Sequence, residues 1–136
     1  MKKPKSMVYM YILARTDLAS MNAGKAVAQG AHAANKLVKM AKQSGDKKLR
    51  KLLRKWEKQT DQGFGVTITL GVKEAQMRSA VQVAQALGLH ADICHDPTYP
   101  LLDGEVCHLI PLDTGAFIFG RKADCAPVVG NFRLMD

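Results

Sequence analysis

The sequence predicts an α/β fold in which helices cover both faces of one sheet. Short apolar runs, rich in β-branched and aromatic residues, alternate with longer segments of helical periodicity. This alternation predicts right-handed crossovers and a parallel centre to the sheet. The chain has 136 residues, of which 47% are hydrophobic, enough for one core. We therefore expect residues 1–136 to form a single domain.

The first strand and helix dominate the pattern. Residues 8–14 are apolar and end at Arg15, which predicts a buried strand, and the Ala-rich segment after Gly24 predicts a helix. One helical stripe carries four polar side chains, namely Lys25, Gln29, His32 and Lys36. The opposite face is predicted to pack on the sheet through Val27, Ala31, Ala34, Val38 and Ala41. The polar stripe is thus available for chemistry, and the helix N-terminus at Lys25 suits a phosphate or an oxyanion.

Residues 47–58 predict a second, amphipathic helix after the break at 44–46. Its apolar stripe should dock on the protein through Leu49, Leu52, Leu53 and Trp56. The rest of this helix carries seven basic residues and one acid. We predict that this basic face contacts phosphates, with Lys51 and Lys55 as binding residues, whereas Trp56 is interpreted as a core anchor. Helices that lie on membranes are the alternative, but this apolar stripe is narrow.

The second half of the chain continues the alternation. We predict a strand at 66–72, a helix at 73–87 that ends at Gly88, and a strand at 89–95. Pro97 and Pro100 are expected to stop that strand. Residues 101–114 should form an irregular excursion or a hairpin that turns at Asp103 and Gly104. A strand at 115–120, a helical turn at 124–130 and a docked tail complete the chain.

Charge is distributed unevenly along the chain. Residues 1–60 hold 15 basic and 3 acidic residues, and residues 61–136 hold 5 and 9, which gives +12 and −4 and a total of +8. A one-sided basic surface is typical of a protein that binds a polyanion such as RNA. The alternative is a solvated charged surface with no partner.

The cysteines and the start of the chain bear on the cellular compartment. Three cysteines, an odd and sparse set, favour a reducing compartment. The basic start and residues 7–14 superficially resemble a signal peptide, but the apolar run is short and closes at Arg15 and Asp17. No run is long enough to span a membrane, so we expect a soluble cytoplasmic protein.

The Cys94-His95 and Cys107-His108 pairs predict no metal site, because neighbours on a strand point to opposite faces.

One stretch of the chain resembles the opening motif of the type II peptidyl-tRNA hydrolases, a family found mainly in archaea and eukaryotes. The matching residues are Arg15-Thr16-Asp17-Leu18, Met21, Gly24-Lys25, Ala28-Gln29 and His32-Ala33-Ala34. Later segments resemble the family too: Asp96, the strand at 116–120 and the closing Val129-Gly130-Asn131-Phe132-Arg133-Leu134. The resemblance implies a three-layer α/β/α fold around a four-stranded mixed sheet. It also implies hydrolysis of the ester of peptidyl-tRNA without a cofactor, and leaves a homodimer open.

The resemblance also implies roles for individual residues. Lys25 would stabilise the oxyanion or a nearby phosphate, and Asp96 would orient the attacking water and pair with Lys25. Gln29 would hold substrate by hydrogen bonds. His32 lies on the same stripe and is included as a binding residue, although a lone histidine on an Ala-rich helix can equally be a packing residue.

The segment after Asp96 departs from the family pattern. The family usually has Asp-Ala-Gly-x-Thr, whereas this chain has Asp96-Pro97-Thr98-Tyr99-Pro100. Thr98 either supplies the family's hydroxyl from a different backbone position, and is then catalytic, or that hydroxyl is lost. Two rival hypotheses follow: a catalytically silent RNA-binding relative, and a small-molecule hydrolase on the same scaffold.

Overall fold

The computed structural model describes residues 7–135 and confirms an α/β fold with three layers. The elements in chain order are β1 (Val8–Arg15), α1 (Ala23–Gln43), α2 (Lys47–Lys58), β2 (Val66–Val72), α3 (Glu74–Ala86), β3 (His90–Asp103), β4 (Val106–Arg121), α4 (Lys122–Val129) and β5 (Arg133–Leu134). The basic start of the signal-like segment, residues 1–6, and the last residue, 136, lie outside this range.

The sheet is mixed and has the strand order β3-β4-β1-β2-β5. It contains five strands, not the predicted four, because the tail adds the two-residue strand β5 to the edge of β2. The parallel centre is limited to β1 and β2, since the other three neighbouring pairs are antiparallel. Strand and helix alternation therefore predicted one parallel pair correctly but not the antiparallel pairing of the other neighbouring strands.

Helices α1 and α2 cover one face of the sheet. Leu37 and Ala41 of α1 and Leu53 of α2 pack against strand residues such as Phe117. Trp56 is buried, stacks edge-on against Phe119 at a centroid distance of 6.1 Å, and donates a 2.9 Å hydrogen bond to the carbonyl of Val66. The prediction that Trp56 is a core anchor is confirmed.

Helices α3 and α4 cover the opposite face. The buried residues of α3 form one stripe, and they pack against β1, β2 and β4 together with Cys125 and Val129 of α4. That stripe consists of Met77, Ala80, Val81 and Ala84. The two helical layers enclose the sheet between them, which is the arrangement that the family resemblance implied.

The face of α1 that packs on the sheet agrees with the predicted one only in part: Ala41 is buried, and Ala34 and Val38 are partly buried against the same core. The buried residues of the helix are Gln29, Ala33, Leu37 and Ala41. Val27, predicted to pack, is 74% exposed. The helix turns the large Leu37 side chain into the core, and the i, i+4 repeat then carries Gln29 inward as well. The predicted polar stripe of α1 therefore lies next to the face that packs on the sheet, and not on the far side of the helix.

Strands β3 and β4 form a long hairpin that continues beyond both prolines. β3 runs through Pro97 and Pro100 to Asp103, with a break in pairing between Asp96 and Tyr99, and Gly104 takes φ +60° in the connecting turn. β3 is the edge strand of the sheet, where a residue without an N–H is tolerated because one side of the strand has no ladder. The expected stop at these prolines is therefore wrong, whereas the expected hairpin at Asp103 and Gly104 is confirmed.

Candidate active site

Asp96 lies in the irregular part of β3 and faces α1. Its carboxylate is only 7% exposed, and both oxygens accept hydrogen bonds. Oδ1 accepts from the backbone N–H of Thr98 at 2.8 Å and from its hydroxyl at 3.1 Å. Oδ2 accepts from the side-chain amide of Gln29 at 2.8 Å. The break in strand pairing after Asp96 allows the chain to turn Thr98 back onto this carboxylate.

These contacts keep Asp96 ionised. Burial opposes the charged form, but the hydrogen bonds from Gln29 and Thr98, together with the nearby His32, outweigh it and lower the pKa of Asp96 below its ordinary value. A buried carboxylate without such donors would take up a proton more readily. The site is therefore built to hold a negative charge at neutral pH.

Gln29 connects Asp96 to a residue on the neighbouring strand. The Thr114 hydroxyl donates to the side-chain carbonyl of Gln29, and the amide of Gln29 donates to Asp96. Gln29 is 5% exposed, and Thr114 is fully buried. Thr114 thus fixes which end of the glutamine faces Asp96. Gln29, expected to bind substrate, is instead engaged by protein groups on both sides.

A cleft of about 260 Å³ opens above Asp96. It is lined by His32, Lys36, Cys94, His95, Asp96, Pro97 and Thr98, and we call it the Asp96 cleft. His32 is exposed, and its Nε2 lies 3.9 Å from Oδ2 of Asp96. Lys36 holds the wall of the cleft by donating a 2.7 Å hydrogen bond to the carbonyl of Ile93, and it also pairs with Asp92 at 3.1 Å.

Lys25 lies in the first turn of α1, near the same strand. Asn22 caps the helix by accepting a 2.9 Å hydrogen bond from the backbone N–H of Lys25, so one of the amides predicted to be free is occupied. The ammonium of Lys25 lies over the ring of Tyr99, 5.2 Å from its centroid. Tyr99 is itself held by a 2.9 Å hydrogen bond between its hydroxyl and that of Ser20. Within residues 7–135 no ion pair joins Lys25 to Asp96, in contrast to the pairing that the sequence predicted.

The loop before α1 is anchored by Arg15, whose guanidinium is buried. Arg15 pairs with Asp17 at 2.9 Å and with Glu74 at 3.0 Å, and it donates to the carbonyl of Asp113 at 3.1 Å. The hydrogen bond from Arg15 lowers the pKa of Asp17 to about 2. Because this network ties the end of β1 to α3 and β4, it fixes where α1 begins and hence where Lys25 lies.

The family model described as Peptidyl-tRNA hydrolase PTH2 matches residues 8–110. The chain belongs to this family. The match spans β1 to the first part of β4, and so includes Lys25, Gln29, Asp96 and Thr98. A search of curated protein sequences gives no match.

In this PTH2 family member the structure brings most of the predicted site residues together. His32, Asp96 and Thr98 line the Asp96 cleft, Gln29 lies behind it bonded to Asp96, and Lys25 lies beside Tyr99, three residues further along β3. Lys51 and Lys55 are remote from it: they lie on α2 and line a separate cleft with His90 and Arg121. These two lysines therefore lie outside the Asp96 cleft.

Sequence reasoning missed Thr114, Tyr99 and Ser20. The only local signal for Thr114 was its place directly before the predicted strand at 115–120. Its partner Gln29 is 85 residues away, so no spacing rule could join them. Tyr99 lay in a segment interpreted as irregular because of its prolines, and Ser20 in a loop.

Two kinds of feature are not found among residues 7–135. No helix there combines the length and apolar content needed to cross a membrane. No group of three or more His, Cys, Asp or Glu side chains there comes together as metal ligands. Cys94 and Cys125 are buried free thiols, and burial raises the pKa of Cys94 to about 11 and that of Cys125 to about 12.

Proposed function

We propose that this chain hydrolyses the ester bond of peptidyl-tRNA and releases peptide and tRNA. Membership of the PTH2 family supports this substrate. The observation that carries the proposal is the ionised, buried Asp96 carboxylate, held by Gln29 and Thr98 at the base of an open cleft. The proposed activity places the protein in the cytoplasm, where translation supplies the substrate.

Asp96 serves to orient the attacking water. A carboxylate with a lowered pKa is a weak base but a strong hydrogen-bond acceptor, so it positions water better than it deprotonates it. Oδ1 already accepts two hydrogen bonds from Thr98, whereas Oδ2 accepts one from Gln29 and faces His32. A water beside Oδ2 and Nε2 of His32 can bond both groups. Gln29 and Thr114 act as positioning residues, because they hold Asp96 without reaching the cleft.

Lys25 stabilises the negative charge that develops during the reaction. Water adds to the acyl carbon, the carbonyl oxygen becomes an oxyanion, and the ribose oxygen then leaves with the proton that the water gives up. Among the described residues no carboxylate pairs with the Lys25 ammonium, so its charge is available to that oxyanion or to the adjoining phosphate. The Tyr99 ring limits the motion of the side chain without neutralising it.

The second candidate function is that of an RNA-binding relative without catalysis. It is favoured by Thr98, which stands two residues after Asp96, whereas the family pattern has its threonine four residues after the aspartate. The hydroxyl and the backbone N–H of Thr98 both donate to Asp96. In this interpretation the Asp96 carboxylate accepts hydrogen bonds from Thr98, two residues away, and has no role in orienting a water. The basic surface of α2 would still bind RNA.

Incubation of the purified protein with N-blocked aminoacyl-tRNA distinguishes the two. We expect release of the N-blocked amino acid and of intact tRNA with a free 3′ end, separable on an acid gel. Binding of the tRNA without release of the amino acid would support the silent relative.

A further inference from the structure

Two basic clefts flank α2. One is lined by Lys47, Arg50, Lys51, Arg54 and Lys58, all of α2, and we call it the outer cleft. The other lies between α2 and the sheet and is lined by Lys48, Lys51, Leu52, Lys55, His90 and Arg121; we call it the β3-side cleft. Both clefts are lined by basic residues, and Lys51 borders both. They differ in that strand residues, His90 and Arg121, line only the β3-side cleft.

The β3-side cleft is connected to Asp96 by a single strand. Residues paired across β3 and β4 point to the same face, and His90 and Asp92 pair with Phe119 and Phe117, which lie in the core under α1 and α2. His90 therefore faces the same side of the sheet as α2. Asp96 lies six residue steps along the strand from His90, a distance of about 20 Å. The outer cleft has no such connection, since only α2 lines it.

A lysine and an aspartate that pair with each other lie between the two ends of this path. Lys36 of α1 lines the Asp96 cleft and reaches the backbone of β3 at Ile93. The acid on the path, Asp92, is paired with Lys36 at 3.1 Å. A polyanion that leaves the Asp96 cleft along β3 thus meets Lys36 and then the cations of the β3-side cleft. A distance of about 20 Å corresponds to a few nucleotides of an extended single strand.

We propose that the 3′-terminal single strand of the tRNA lies along β3, with its ester at Asp96 and its preceding phosphates in the β3-side cleft. The outer cleft is not used. This inference rests on the proposed function, because it takes the ester end to lie at Asp96. Trp56, the one tryptophan of the chain, is buried and offers no stacking surface to a base, whereas the cations that line the β3-side cleft suit backbone phosphates.

Two double substitutions on α2 test the path with the same change of charge. Lys48→Glu with Lys55→Glu alters the β3-side cleft, and Lys47→Glu with Arg54→Glu alters the outer cleft; each pair is seven residues apart. The probe is a fluorescent RNA hairpin with a single-stranded 3′ end and no ester, measured by anisotropy across a salt series. Because the probe carries no ester, its binding can be measured whether or not the protein cleaves peptidyl-tRNA. A protein that binds the probe as expected but cleaves no ester would contradict the proposed function and not the path.

We expect the β3-side pair to weaken binding about tenfold or more, and to reduce the slope of log affinity against log salt by about 1.4 to 1.8, for two lost phosphate contacts. The outer pair should change affinity less than about threefold, the residual effect of net charge at a distance. Removing the single-stranded end of the probe should abolish the difference between the pairs.

Equal losses for both pairs, or a larger loss for the outer pair, would overturn the path, because α2 would then act as an unspecific basic surface. No loss for either pair would overturn it as well. Thermal melting of each variant checks the fold. If the glutamate pair fails to fold, Lys48→Gln with Lys55→Gln replaces it, with Lys47→Gln and Arg54→Gln as its control and the same ranking expected.

Discussion

The amide of Gln29 on α1 donates a 2.8 Å hydrogen bond to the Asp96 carboxylate on β3, and both side chains are buried. A buried amide is stable only if its polar groups are satisfied, and Thr114 completes the set from β4. One glutamine thus joins a helix to the two strands of the hairpin. Because it donates to the charged form of Asp96, Gln29 also sets how readily this carboxylate ionises.

Gln29→Ala should shift the acid limb of the pH profile of kcat/KM to higher pH. Gln29 lowers the pKa of Asp96, so without it burial raises that pKa and Asp96 becomes ionised only at higher pH. The rate on peptidyl-tRNA should fall at neutral pH as well, with KM little changed. Gln82→Ala, an exposed glutamine on α3, is the control. An unshifted acid limb would mean that Gln29 has no part in the ionisation of Asp96.

Lys25→Ala should lower the rate of ester cleavage about a hundredfold or more, which is the usual effect of removing a group that stabilises an oxyanion. The side chain is half-buried and contacts Tyr99, but no buried charge is left unpaired, so the fold should be retained. Lys39→Ala, an exposed lysine of the same helix, should leave the rate unchanged. Single-turnover rates and circular dichroism measure the two properties. Near wild-type turnover of folded Lys25→Ala protein would remove Lys25 from the mechanism.

Local patterns predicted much of the fold. The predicted segments 47–58 and 66–72 coincide with α2 and β2, and the helix predicted at 73–87 differs from α3 by one residue at each end. These segments have strong periodicity and clear boundaries. The hairpin turn at Asp103 and Gly104 was predicted, but the continuation of β3 through Pro97 and Pro100 was not, because whether a proline interrupts a strand depends on whether that strand lies at an edge. Edge position is a property of the whole sheet.

The sequence predicted which residues form the candidate site, but not the contacts between them. Lys25, Gln29, His32 and Asp96 came from motif resemblance, whereas the orientation of α1 depended on where Leu37 could be buried. Gln29 was assigned to a substrate-facing stripe because its partners, 67 and 85 residues away, are invisible to helical periodicity. The cation–π contact of Lys25 with Tyr99 depends in the same way on the course of β3 beyond Pro97.

Thr98→Val should lower the single-turnover rate about threefold to tenfold, because it removes one hydrogen bond to a charged group and keeps the backbone N–H bond to the same oxygen. Thr98→Ser should restore the rate, since serine supplies the same hydroxyl. This pair of variants decides whether the family's hydroxyl function survives at its shifted position. Wild-type activity of Thr98→Val protein would show that the hydroxyl is dispensable.

Asp17→Asn should reduce the free energy of unfolding by about 2 kcal/mol at neutral pH, because it removes a charged partner of the buried Arg15. The pKa of Asp17 falls from 3.8 to about 2 on folding, so its stabilisation is complete above the ordinary value and is lost as the pH falls towards 2. Urea unfolding at several pH values should therefore show the two curves converging in acid. Asp61→Asn, an exposed acid, is the control. A difference that persists at pH 2 would mean that the ion pair is not its source.

The most direct measurement is the single-turnover rate of N-blocked aminoacyl-tRNA cleavage, in buffer with EDTA, by wild-type, Asp96→Asn and Asp92→Asn proteins. Asparagine keeps the shape of aspartate but removes the negative charge that orients the water. Asp92 lies on the same strand, half-buried and paired with Lys36, and serves as the matched control. We predict a rate at least about a hundredfold lower for Asp96→Asn, with tRNA binding retained, and a rate within about threefold of wild type for Asp92→Asn. Wild-type cleavage by a folded Asp96→Asn protein would contradict the central claim that Asp96 carries the reaction.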